Sequence, residues 1–239
     1  MKLALEILTA FAPGLAWLWY FYRKDRREPE PARLVGRVFL LGCAAALAVL
    51  AVRPLLEPAL PPAPGWARGI ADAFLVTAAT EEILKALAFS LGVLWHRQLD
   101  EPLDGIVYGA AAGLGFASVE NAFFVIGSGE LSVVAMRAFT ATIAHACLSG
   151  GLGFCLGMTR FTDRRRIAGL LVAGGLLAAI LLHGLYDLFL FTWPQLKAIS
   201  LLLVLPGIIL CLGLLGRWSQ RAASRHHPSE RSAAAPVMR

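Results

Sequence analysis

Four apolar stretches of the chain carry side chains that hydrocarbon cannot solvate: Glu81, Glu82, Glu120, His145, His183 and Asp187. A charged group at a bilayer centre costs about 2.5–3.5 kcal/mol on insertion scales, so such groups must face one another or a wet cavity. Glu81-Glu82-Ile83-Leu84-Lys85 sets two carboxylates and an ammonium three and four residues apart, on one helix face. Two adjacent carboxylates cannot both ionise cheaply in a low dielectric, and a carboxyl that exchanges a proton near neutrality is what a general base needs. A structural ion pair is the plainer reading of one Glu–Lys pair, and the second glutamate shifts the balance toward chemistry. His183 and Asp187 are again i,i+4, so the carboxylate can hold the imidazole in one tautomer, with Tyr186 beside them as a hydrogen-bond donor. Phe116 and Glu120 share a face of another stretch, followed by Asn121. His145 lies between Thr142 and Ser149, ahead of a run of glycines. Taken singly, Glu120 and Asn121 read as interhelical hydrogen bonding and His145 as a satisfied core histidine. Arg137, two turns outward of His145, reads as snorkelling to the interface.

These residues need long helices to hold them. The 239 residues are 58% hydrophobic and 16% charged, whereas a soluble domain has roughly 25% charged residues. The expected fold is therefore all-α, a polytopic transmembrane helix bundle. Seven stretches are long enough to cross a core of about 30 Å: residues 4–22, 34–52, 69–95, 104–126, 131–158, 167–193 and 197–216. They form one domain over 1–216, with the motifs inside 69–193. The first stretch reads as a retained span, because its basic cluster follows the apolar run instead of preceding it. The loop 53–68, with Pro54, Pro58, Pro61, Pro62 and Pro64, is expected to be extended and stiff, and the basic tail 217–239 disordered against the inner leaflet. Cys43, Cys147, Cys155 and Cys211 form no CxxC pair and read as small core residues. The net charge of +6 does not imply nucleic acid, since the basic residues sit in loops and the tail.

With the N-terminus outside and the C-terminus inside, 16 of the 22 Lys and Arg residues fall in cytoplasmic segments and 4 outside, the remaining two being Lys85 and Arg137 within spans. That bias agrees with seven spans. Counted inward from the outer boundary, Glu81, Glu120, His145, His183 and Asp187 lie within about 12 Å of one another along the membrane normal at 1.5 Å per residue. Scattered structural polar groups would not share a depth, so the five are expected to form one site opening outward or laterally.

The ordered set Glu81-Glu82-x-x-Lys85, Phe116-x-x-x-Glu120-Asn121, His145 and His183-x-x-x-Asp187 resembles the motif series of the PrsW family of intramembrane proteases, relatives of the CAAX-prenyl and bacteriocin-processing enzymes. The resemblance implies a glutamic-type endopeptidase acting on membrane-anchored proteins, in the best-known setting an anti-sigma factor. It further implies that Glu81 or Glu82 activates a water, that His145 and His183 orient it or stabilise the oxyanion, and that Asp187 holds His183. Where the CAAX-type enzymes tend to have histidine after Phe-x-x-x, this chain has Glu120, as the PrsW branch does. Catalysis without a cofactor is the expectation. No HExxH or other close-spaced pair occurs, so zinc would need ligands from separate helices. The alternative from another class is a proton-coupled transporter or channel with a Glu/His/Asp relay. Neither an inverted repeat nor matching broken helices in two halves supports it. The layout points to a bacterial plasma membrane, with the lipid bilayer and a membrane-anchored protein substrate as partners and no nucleic acid.

Overall fold

A computed structural model describes residues 2–24, 29–60 and 62–226. Helix α1 is Lys2–Lys24 and α2 is Ala32–Leu56. Helix α3 spans residues 65–94 as Gly65–Ala71, a π-helical Asp72–Ala78, Ala79–Phe89 and a second π-helical stretch, Ser90–Leu94. Helix α4 is Pro102–Ser128, α5 the short Ser132–Ala138, α6 Ala141–Met158, and α7 Arg165–Asp187 with a π-helical extension Leu188–Thr192. Helix α8, residues 194–226, starts with irregular turns and becomes regular over Leu205–His226. No strand occurs among the described residues.

Six of these segments are long and apolar enough to cross a membrane: Lys2–Arg23, Ala32–Ala59, Pro102–Ser128, Ser132–Phe161, Arg165–Thr192 and Pro194–Trp218. The exception is α3. Asp72, Glu81, Glu82 and Lys85 lower its apolarity, although its 30 residues extend about 45 Å, enough to cross. The helix least like a span in composition is thus the one that carries the paired carboxylates.

The core is a hairpin. Helix α4 is apolar all round and packs most extensively on α6, then on α2 and α1. The two backbones come close because glycines line the seam: a Cβ on Gly113 would collide with the main-chain oxygen of His145 and the side chain of Ser149. The remaining helices ring this hairpin and turn leucines outward, such as Leu8, Leu40, Leu75 and Leu170.

Three expectations change. The span 131–158 stands as one membrane-length segment, but its helix is interrupted: α5 ends at Ala138, and the chain turns at Phe139–Thr140 before α6 begins, Thr140 leaving helical geometry at φ −122°, ψ −93°. The stretch 53–68 is mostly helical, since α2 continues through Pro54, Glu57–Ala59 forms a 3-10 turn and Pro64 precedes the first turn of α3, where a missing N–H costs nothing. Pro61 lies outside the described residues. Helix α8 runs to His226, ten residues into the segment read as tail, and 227–239 lie outside the described residues.

Candidate functional site

Helix α3 turns Ile83 and Leu87 outward and buries Glu81, Glu82 and Lys85 on the opposite face. That face meets α4, α6 and α7. The Lys85 ammonium donates to Glu82 Oε1 at 2.9 Å and to Glu81 Oε2 at 3.2 Å, and its Nζ lies 2.8 Å from His145 Nδ1. It also sits 4.1 Å from the centroid of the Phe116 ring, so an aromatic face covers the cation where no carboxylate does.

The two imidazoles stand edge to face, with ring centroids 5.3 Å apart. An ammonium can only donate, so His145 Nδ1 accepts from Lys85 and its Nε2–H must donate to Glu120 Oε2, at 2.7 Å. His183 Nδ1 lies 2.8 Å from Glu82 Oε1, and its Nε2 lies 3.4 Å from Asp187 Oδ2 and 3.8 Å from Glu81 Oε2. With Nδ1–H given to Glu82, the remaining nitrogen faces Glu81 and Asp187. Each imidazole is thus fixed by a carboxylate on one side and presents its other nitrogen to the same centre.

Glu81, His145 and His183, from three helices, bring one ligand atom each to within 4.8 Å of one another. A carboxylate and two imidazoles, both imidazoles backed by carboxylates, match a three-ligand catalytic zinc set in number and kind. The Lys85 ammonium, bonded to two of the three, marks a position where these atoms stabilise a cation. The set therefore fits a divalent ion, a fit that residue spacing could not reveal.

Two cavities reach the cluster. One of about 20 Å³, room for a single water, is bounded by Glu120, His145, His183, Tyr186 and Asp187. The Tyr186 hydroxyl on its wall has no hydrogen-bond partner among the described residues. The other is a cleft of about 460 Å³ between α2, α3, α4 and the end of α7, with Val49, Leu50, Phe123 and Phe124 on its walls, Arg53 and Asp72 paired at 3.2 Å, and Glu120 and Asp187 shared with the smaller cavity.

All six residues marked in the sequence, with Lys85, Phe116 and Tyr186, meet here. Asn121 stands one step back, donating to Thr142 Oγ1 at 3.1 Å and accepting from Arg137. Arg137 is the residue that sequence reasoning misplaced. It is buried, donating from Nε to Asn121 Oδ1 at 2.7 Å and from Nη2 to Glu120 Oε2 at 2.6 Å, with its guanidinium 3.9 Å from the Phe124 ring centroid. On an unbroken helix it would reach the interface. The turn at Phe139–Thr140 swings it inward, and Trp17 of α1 holds that turn through a 2.8 Å bond to the Ala138 carbonyl.

Residues 30–213 match the family described as PrsW family intramembrane metalloprotease. The chain is 37% identical over 185 residues to Protease PrsW of Bacillus subtilis, covering 77% of this chain and 82% of that protein. It is 36% identical over 186 residues to Protease PrsW of Geobacillus kaustophilus, covering 76% and 77%. Over 220 residues it is 32% identical to Protease PrsW of Shouchella clausii, covering 92% and 97%. No solved structure matches.

Proposed function

The chain belongs to the PrsW family of intramembrane proteases, and from that premise we propose that it cuts membrane-anchored proteins at the centre formed by Glu81, His145 and His183. It is a multi-pass membrane protein and a protease, which leaves the transporter reading without support. The observation that carries the proposal is the convergence of these three residues beside a water-sized cavity whose walls continue into a substrate-sized cleft.

The roles follow from what each group has left to offer. Glu82 is fully buried and spends Oε1 on both Lys85 and His183, so it positions the site and does not meet water. Glu81 faces the centre with the two imidazoles and is the carboxylate at which water is activated. Glu120 fixes His145 through Nε2. Asp187, which borders both cavities, can take the proton that water loses and return it to the departing amine. Glu81, His145 and His183 would hold a divalent ion. Such an ion acts as a Lewis acid toward a scissile carbonyl and makes water nucleophilic at neutral pH. The earlier expectation of cofactor-free catalysis gives way here to a ligand set assembled from separate helices.

A helical substrate hides its carbonyls, so the segment cut must unwind within the cleft between α2, α3 and α4. With the N-terminus outside, the orientation set by the basic residues, the site lies in the outer half of the membrane, and cleavage of a regulatory membrane protein of the anti-sigma-factor kind falls near its outer end.

The test is quantitative N-terminal peptide mapping of membrane proteins in cells expressing wild type, Glu81→Gln or Glu82→Gln at equal levels. New N-termini are expected with wild type, none with Glu81→Gln, and a reduced set with Glu82→Gln. Wild-type cleavage by Glu81→Gln would overturn the assignment.

A further inference from the structure

We infer that Lys85 is a resident counter-cation that holds the seat of a divalent ion and yields it by moving onto Glu82. The inference rests on the hydrolytic reading of Glu81, His145 and His183 and adds what sets their affinity for the ion.

An ammonium has three donors and no acceptor, and all three of these donors are directed at Glu81, Glu82 and His145. Two of these partners belong to the ligand set, and for His145 the conflict is absolute. A neutral imidazole has one lone pair, the Nε2–H is given to Glu120, and so Nδ1 serves either Lys85 or an ion. The structure also supplies a place for the displaced ammonium. Glu82 Oε2 is buried and has no hydrogen-bond partner among the described residues, while Oε1 of the same carboxylate already binds Lys85. A flexible four-carbon stem lets Nζ pivot from Glu81 and His145 to the second oxygen of Glu82 without leaving its carboxylate. In both arrangements every buried acid keeps a cationic or hydrogen-bonding partner, which a low-dielectric interior demands. Lys85 therefore keeps the site folded without an ion and weakens the ion's hold when it arrives.

The experiment titrates zinc into purified full-length protein in lipid nanodiscs, reading bound metal after desalting and the thermal unfolding temperature with and without chelator. The unfolding temperature of the wild type should be indifferent to chelator. Lys85→Met should unfold at lower temperature without metal, recover with zinc, and bind zinc roughly tenfold to a hundredfold tighter, the equivalent of one charge-assisted hydrogen bond no longer displaced. Lys85→Gln, also neutral, is read the same way if the methionine variant does not fold. Equal zinc affinity in wild type and variants overturns the inference. So does a wild type that carries stoichiometric zinc and loses stability when it is removed, a result that needs no variant. Neither readout is cleavage, so failure of the hydrolytic reading, seen as unchanged N-termini with Glu81→Gln, remains separate.

Discussion

Helix α4 carries two buried polar clusters, one at each end, and only one borders the cavities described above. At the inner end, Asp104 Oδ2 accepts the backbone N–H of Glu101 at 2.6 Å and of Asp100 at 3.0 Å, closing a capping box, while Tyr108 donates to Glu30. At the outer end, Phe116, Glu120 and Asn121 meet side chains from α3, α5 and α6. Both clusters are acidic and buried. The inner one ties Asp104 to backbone N–H groups a few residues away and Glu30 to the Tyr108 hydroxyl, and neither of the cavities described above borders it. The outer one joins imidazoles and cations across helices, leaves Glu82 Oε2 without a partner among the described residues, and borders both cavities. Burial and charge alone therefore do not identify a site in a membrane bundle. What separates the two is whether backbone and a single side-chain pair use up the polar atoms or several helices hold them facing a common space.

The sharpest way to break this contrast is to move the helices and leave the reacting groups in place. A Cβ at Gly113 meets the carbonyl of His145 itself, so Gly113→Ala must push α6 away and shift the imidazole. Displacement of a reacting group by about 1 Å costs on the order of a hundredfold in rate. Overpacking costs about 1–3 kcal/mol in stability. Gly127→Ala on the same helix meets open space and should change neither. The measurement is initial cleavage rate in nanodiscs alongside the unfolding temperature, and equal rates for the two variants would mean that the α4–α6 seam does not position His145.

Much of this arrangement is legible in the amino-acid sequence. Hydropathy marked the helices, and the common depth of Glu81, Glu120, His145, His183 and Asp187 foretold one cluster, because residues at one level on adjacent antiparallel helices have few other partners. What spacing could not carry was contact between helices. Nothing along the chain distinguishes Glu81 from Glu82; Lys85 and His183 converging on one oxygen of Glu82 do that. A set of residues that could hold an ion, with one residue per helix, leaves no short motif to read. Arg137 was misread because a continuous helix was assumed through 131–158. The signal available was the run Phe139-Thr140-Ala141-Thr142, whose β-branched residues weaken a helix without naming the break.

Arg137 gives a smaller and more selective test. It bonds Glu120 and Asn121 and lines the smaller cavity beside Glu120, but bonds none of Glu81, His145 and His183, so it acts by holding Glu120 against His145. Loss of a residue that orients a catalytic imidazole at one remove typically costs 10–100-fold. Arg137→Gln should therefore lower kcat by roughly tenfold with KM little changed, and Arg137→Lys, which keeps the charge on Glu120 but not the fork to Asn121, should recover part of it. A fall confined to KM would place Arg137 in substrate binding.

The smallest effect belongs to the inner cluster, and its direction matters more than its size. Asp104→Ala removes the acceptor for the N–H groups of Asp100 and Glu101 at the start of α4. Loss of a helix cap costs about 1 kcal/mol. That end of α4 lies more than four turns from Glu120, and the α4–α6 seam between them is tightly packed, so the loss should appear as a lower unfolding temperature with kcat and KM unchanged. If cleavage fell along with stability, the two ends of α4 would be coupled through the helix, and the division between a cluster that holds the fold and a cluster that reacts would have to be abandoned.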